Sequence, residues 1–187
     1  MRGWANDFLS QPWPALTLVA LAAVALVAHR RIATRLGWSR WPTLGALVGL
    51  AIVLTLTLPP APGAAIGSPE WSAAGRCVES LFDPAVLWRG LISTASRGER
   101  VGNVLMFVPL TFFTVLATRR LAWTVVVGVV LPIGIELTQS ITAFGRECVG
   151  YDWVNNAIGA LLGAVLGALT VRGLVLFGAP GDKGTAN

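Results

Sequence analysis

Five apolar runs punctuate the chain: Trp13 to Ala28, Leu44 to Leu58, Val101 to Thr118, Leu121 to Gln139 and Trp153 to Phe177. A bilayer core asks for roughly 17 to 25 helical residues per crossing. Each run meets that length or comes near it, the second only when Trp41 and Pro42 are counted in. The pattern predicts an all-α, polytopic membrane bundle of about five transmembrane helices, a single domain over 1–187. A secretory signal is the competing reading of the first run, but its positive charges follow the apolar stretch, the reverse of a signal's order, so it is kept as a span.

One connection is long. Residues 59–100 begin with turn-forming residues (Pro59, Pro60, Pro62, Gly63, Gly67, Pro69) and then change character. Asp83 and Pro84 supply a helix cap and first position, and Leu81, Ala85, Trp88, Ile92 and Ala95 recur at helical spacing. Arg89, Ser93, Ser96 and Arg97 fall mainly elsewhere around that helix. An amphipathic segment on the outer membrane surface fits this pattern, and so does a helix packed on the bundle.

Composition narrows the class. Of 187 residues, 55% are hydrophobic and only 12% charged, and mean hydropathy is +0.69. Soluble domains average roughly 25% charged residues. The net charge of +5 would suggest nucleic acid in a soluble protein, but here the arginines cluster beside apolar runs. They are topology signals. Arg30, Arg31, Arg35 and Arg40 crowd the first turn between spans, Arg119 and Arg120 the third, and Arg172 and Lys183 follow the last. The positive-inside rule makes those ends cytoplasmic, with the N-terminus outside and the C-terminus inside a bacterial plasma membrane. Residues 59–100 are then extracytoplasmic, although Arg2, Arg76, Arg89, Arg97, Arg100 and Arg146 are also on that side.

Against this apolar background Glu136 stands out, because a carboxylate within a membrane helix costs roughly 2.5–3.5 kcal/mol on insertion scales and usually meets a protein partner. Arg146, Asp152 and Asn156 follow within about twenty positions. Counting from the inner arginines, Asn103 lies sixteen positions before Arg119, Glu136 sixteen after Arg120 and Asn156 sixteen before Arg172. At 1.5 Å per residue each is roughly 24 Å from the inner boundary, just inside the outer face. Glu136 and Gln139 share a helix face, as do Asp152 and Asn156. A guanidinium at Arg146 is placed to pair with Glu136 or Asp152. Pro132, followed by Gly134, removes a backbone donor one turn before Glu136 and can tilt that end of the span.

Other residues carry simpler readings. Gly159, Gly163 and Gly167 form a small-residue stripe suited to close helix packing. His29, the only histidine, lies at the inner boundary, and with no cysteine cluster a zinc site has no donor set. Glu136 and Asp152 are left as a weak candidate pair for magnesium or calcium, and no cofactor is expected. Trp4, Trp13, Trp38, Trp41, Trp71, Trp88, Trp123 and Trp153 mostly flank spans as interfacial anchors. Cys77 and Cys148 both fall on the outer side, where a disulfide persists. They either pair, clamping the long loop over the polar residues, or are two unrelated small apolar residues.

Four segments, Asn103-Val-Leu-Met-Phe107-Val-Pro109-Leu, Ile135-Glu136-Leu-Thr-Gln139, Gly145-Arg146-Glu-Cys148 and Asp152-Trp-Val-Asn-Asn156-Ala-Ile-Gly159, together resemble the VanZ-like family of bacterial membrane proteins. The resemblance runs from about Asn103 to Gly167, within a core taken as 101–177. It implies that Asn103, Phe107, Pro109, Glu136, Gln139, Arg146, Asp152, Asn156 and Gly159 occupy signature positions. Where the family often adds aspartates before the last one, this chain has Val149 and Tyr151. The family takes its name from a protein associated with resistance to teicoplanin, so the resemblance implies a cell-envelope role.

Two functions follow as expectations. In the first, a membrane-embedded site acts at the outer leaflet on a lipid-linked envelope precursor: Glu136 or Asp152 is the general acid or base, Arg146 holds an anion, and Asn103, Gln139 and Asn156 orient polar groups. In the second, the same residues form a non-enzymatic binding module for a lipopeptide antibiotic or lipid headgroup. Whether the chain is an enzyme stays open between them. A small transporter ranks third, since no internal repeat is visible. The expected partners are membrane lipids and a lipid-linked precursor or glycopeptide, not nucleic acid.

Overall fold

The computed structural model describes residues 10–61, 63–64, 67–92, 97–142, 144–146 and 148–176. Seven helices make up the described chain: α1 (Pro12–Leu36), α2 (Arg40–Thr57), α3 (Ser72–Phe82), α4 (Pro84–Ile92), α5 (Arg97–Thr118), α6 (Leu121–Thr142) and α7 (Gly150–Leu176). Five of them, α1, α2, α5, α6 and α7, are long and apolar enough to cross a membrane. The all-α bundle of five spans is what the hydrophobic pattern predicts.

Helix boundaries follow local chemistry. Pro12 opens α1, where a missing amide costs nothing, and Gly37 closes it at φ 65° in the left-handed region that glycine adopts without strain. The helix therefore runs beyond the apolar stretch through Arg30, Arg31 and Arg35, whose long side chains can reach out past the apolar layer. At the other turn on that end, Arg119 adopts φ 58°, which lets α5 reverse into α6 within two residues. The Ser39 amide donates to the Ala117 carbonyl (3.1 Å), tying the two turns together.

Packing centres on α5. It lies most extensively against α7 and next against α2, with α1 outside α2 and α6 against α7. Val53, Met106, Phe107, Leu110, Ile135 and Ala160, from α2, α5, α6 and α7, form the buried core. The glycine stripe explains the α5–α7 intimacy: a Cβ at Gly159 would strike the Val104 carbonyl, at Gly163 the Val108 carbonyl and at Gly167 the Phe112 carbonyl. The contacts advance four residues at a time on both helices, so α5 and α7 run parallel and in register. Small residues allow this because, between helices in lipid, dispersion at close range replaces the hydrophobic drive.

The described residues between α2 and α5 carry more regular structure than the turn-rich start of that connection suggests. Besides α4, whose start is capped by the Asp83 carboxylate accepting from the Ala85 amide (2.8 Å), they contain α3, a helix the hydrophobic pattern does not announce. Both short helices pack at the end of the bundle that holds Glu136, α3 chiefly on α6 and α4 on α7. The Ala61 and Glu70 amides donate to the Phe144 and Ile141 carbonyls (2.9 and 3.0 Å), lacing the loop to the end of α6. Beyond the bundle contact, α3 and α4 leave Trp71, Val78, Phe82, Trp88 and Ile92 exposed. The expected helical stretch through Ala95 ends outside the described residues, as do Trp4, Arg2, Phe177 and Lys183.

Candidate functional site

The polar side chains singled out above come from α5, α6, α7 and the α6–α7 connection. Asn103 Nδ2 donates to Asp152 Oδ1 at 2.7 Å, joining α5 to the first turn of α7. Glu136, 3% exposed near the end of α6, accepts the Val149 amide on Oε2 at 3.2 Å. Its carboxylate is within electrostatic reach of both Asp152, which repels it, and Arg146, which attracts it. Asp152 also feels Glu99, one turn above Asn103 on α5.

Arg146 has a backbone partner that the sequence does not announce, beside its electrostatic interaction with Glu136. Its Nε donates to the Pro59 carbonyl at 3.1 Å, across to the end of α2, while its charge still acts on Glu136. Burial pulls the guanidinium below its ordinary range, and the Glu136 carboxylate works against that shift. Gln139 likewise turns to α2: its Nε2 donates to the Thr57 carbonyl at 2.9 Å. Pro59, immediately beyond the α2 C-cap, and Thr57 thus become backbone acceptors for two side chains of the candidate site.

Asn156 lies one turn deeper than Asp152 and is 2% exposed, its Oδ1 buried without a hydrogen-bond partner among the described residues. Asn103 therefore meets Asp152 and not Asn156, although their counted depths coincide. Side chains on a helix lean toward its N-terminus, so Asn103 reaches above its own Cα level.

Proline and tryptophan complete the scaffold. Pro132 has no amide for the Gly128 carbonyl one turn earlier, and the neighbouring Val129 carbonyl accepts the Trp153 indole Nε1 at 3.0 Å. Trp153 is thus a tie between α6 and α7, and its ring meets Phe82 at 6.2 Å, a larger part than the interfacial anchor expected of it. Trp13, Trp41, Trp71, Trp88 and Trp123 are exposed.

Above the carboxylates, Cys77 Sγ is bonded to Cys148 Sγ, with Cα atoms 5.4 Å apart. The bridge fastens α3 to the connection that carries Arg146. Close by, the Gly150 amide donates to Ser80 Oγ at 3.2 Å, and a Cβ at Gly150 would strike the Ser80 carbonyl. At the opposite end His29 is buried, its Nδ1 2.8 Å from the Leu26 carbonyl and its ring stacked on Trp41 at 6.3 Å. It takes no part in the site. Among the described residues no group of three or more histidine, cysteine, aspartate or glutamate side chains is arranged to hold a metal ion.

Sequence reasoning passed over Thr57, Pro59, Ser80 and Val149. Three of them act through backbone atoms, which leave no mark in a pattern of side-chain types. Ser80 is the exception, a hydroxyl one residue before the buried Leu81.

The fold and the disposition of polar groups define a multi-pass α-helical membrane protein. A family model described as VanZ/LLP1 matches residues 62–171, and the chain belongs to that family. The match takes in α3 and α4 as well as α5, α6 and most of α7. No curated protein and no solved structure matches the chain.

Proposed function

We propose that this VanZ/LLP1-family protein handles the headgroup of a lipid-linked cell-envelope precursor at the outer face of the plasma membrane, the N-terminus lying outside and the C-terminus in the cytoplasm. The observation that carries the reading is the Asn103–Asp152 hydrogen bond beside Glu136, which gathers two carboxylates and an amide from three spans at one end of the bundle. Intramembrane carboxylates are costly, and their grouping is a mark of function by default. Glu136 or Asp152 serves as general acid or base, Arg146 holds an anion, and Asn103, Gln139 and Asn156 fix polar groups. Resistance to glycopeptides of the teicoplanin type is one phenotype such handling would produce.

The test is complementation of an envelope phenotype by Glu136→Gln, alongside membrane extraction to show normal folding. Loss of phenotype with a folded protein is the expected result. Full complementation by a folded variant removes the acid–base role.

One observation favours a non-enzymatic alternative. Glu136 is only 3% exposed, so contact between its carboxylate and a substrate requires the bundle to open. A binding module, in which the polar cluster holds its helices while a lipopeptide or lipid headgroup rests above, uses that burial without further opening. Lipid extracts from a deletion strain and its complemented parent separate the two: altered lipid chemistry supports turnover, and unchanged lipids with direct ligand crosslinking support binding alone.

A further inference from the structure

Turning about 100° per residue, α3 divides into three flanks. Cys77 and Leu81, four apart, are buried against the bundle. One step on, Val78 and Phe82 are 44% and 63% exposed, and Trp71, seven positions before Val78, falls on the same flank at 75%. One step further, Glu79 and Asp83 are exposed, and beyond them Arg76 is in an ion pair with Glu70 at 2.7 Å. Protein-facing, apolar and charged flanks thus run side by side along an eleven-residue helix. The next helix repeats the pairing: in α4, Leu87 is half-buried beside Gly150, whereas Trp88 and Ile92 are exposed. Two contacts set the level of the apolar flank of α3. Just before the helix, the Glu70 amide donates to the Ile141 carbonyl. Ile141 follows Arg120 by twenty-one positions, about 31 Å along α6, at the edge of a core roughly 30 Å thick. At the far end the Phe82 ring meets Trp153, whose indole donates to the Val129 carbonyl at 3.0 Å. Val129 follows Arg120 by only nine positions, about 14 Å along α6. The helix therefore starts at the edge of the apolar layer and ends beneath it.

We propose that α3 lies along the membrane boundary at the Glu136 end of the bundle, with Trp71, Val78 and Phe82 seated among the acyl chains of that leaflet and Arg76, Glu79 and Asp83 turned to its headgroups and to water. The inference goes beyond the precursor-handling reading and does not depend on it. A helix of eleven residues is too short to span and has the length of an interfacial segment, and its separate apolar and charged flanks are what such a segment needs. The occupant follows from depth and continuity. Acyl chains surround the exposed faces of the spans, and on α6 those faces include Val126 and Val130, 60% and 57% exposed. Through Trp153, which sits beside Val129, the α3 flank joins that surface. A water-soluble protein does not reach a ring at the level of Phe82, and a second copy laid over the flank would draw the adjoining Glu79 and Asp83 out of water. Tryptophan at the edge with valine and phenylalanine beneath also follows the fall in polarity across a leaflet. The Cys77–Cys148 bridge then ties the connection carrying Arg146 to a helix that rests on lipid.

Both cysteines of the chain are in the bridge, so one added cysteine supplies a single reactive thiol. A nitroxide attached in turn to Arg76→Cys, Val78→Cys, Glu79→Cys and Phe82→Cys, with Val126→Cys as the lipid-facing reference, is read by power saturation of the full chain in phosphatidylcholine vesicles. The two relaxing agents are oxygen, which concentrates in hydrocarbon, and a water-soluble nickel chelate. The ratio of oxygen to nickel collisions at Val78 and Phe82 should approach that at Val126 and exceed that at Arg76 and Glu79 severalfold. A phosphatidylcholine carrying a diazirine partway along its acyl chain should label the peptide holding Val78 to Phe82 in the unaltered chain, a readout that does not depend on how the variants fold. Nickel collisions prevailing at Val78 and Phe82 would place the flank in water and overturn the proposal. Exclusion of both agents there would overturn it in favour of a protein cover, with crosslinking to a dimer identifying a second copy. Acyl-chain labelling confined to the five spans would overturn it as well.

Discussion

Asn103 donates to Asp152 across two membrane helices, in a setting where few waters compete for either group. A hydrogen bond to a charged acceptor contributes roughly 1.5–3 kcal/mol, and stranding its partner costs more than losing both. Asn103→Ala should therefore lower the unfolding free energy of the detergent-solubilised protein by about 1.5–3 kcal/mol. The Asn103→Ala, Asp152→Ala double variant should be less destabilised than the sum of the singles, read by thermal unfolding in a double-mutant cycle. Simple additivity would mean that the bond does not hold the two helices. Asn103→Asp should be worse than alanine, because it sets a third carboxylate beside Asp152 and Glu99. At this scale the sequence exposed the charged and amide members through their rarity in apolar surroundings. It hid their backbone partners: the Pro59 and Thr57 carbonyls that accept and the Val149 amide that donates carry no side-chain signal and follow only from how α2, α6 and the α6–α7 connection meet.

The elements were legible in proportion to their length and pattern. All five spans follow from apolar runs alone, whereas α3 lacks the usual announcement: its N-cap is Trp71 with no side-chain cap bond, and its buried face amounts to Cys77 and Leu81. An eleven-residue helix of that kind is marginal by itself and forms because α6 and the disulfide hold it. The glycine stripe shows the converse, a local pattern whose tertiary meaning is readable because only one geometry uses it. Gly163→Leu should separate α5 from α7, since even a Cβ there meets the Val108 carbonyl and Thr111 Oγ1. Overpacking at such a contact costs about 1–3 kcal/mol and often more where backbone is the obstacle. Gly173→Ala, in the same helix with nothing within 4 Å of its new methyl, should be neutral or stabilising by about 0.4–1 kcal/mol. Parallel melting curves decide: an equal change in both would mean that α5–α7 contact does not set the stripe's importance.

Orientation in the membrane governs the whole molecule, because the arginine-rich turns and the disulfide constrain it from opposite ends. Arg30, Arg31, Arg35, Arg40, Arg119, Arg120 and Arg172 all lie at the end away from Glu136, and the proposed orientation, with the carboxylates on the outer side, rests on that charge bias. The Cys77–Cys148 bond points the same way, since such bridges persist in oxidising compartments and are rare in the cytoplasm. Cys77→Ala should release a closure spanning 71 positions and lower stability by about 2–4 kcal/mol, and the loss should vanish when wild type and variant are compared under reductant. Fusions then test the direction itself. Alkaline phosphatase joined after Ser68 should be active and joined after Arg119 inactive, with the reverse for a fluorescent protein that folds only in the cytoplasm. If the activities were exchanged, Glu136 and Asp152 would face the inner leaflet. The bridge would then stand in a reducing compartment, and an outer-leaflet precursor could not be the ligand, whatever the chemistry of the carboxylates.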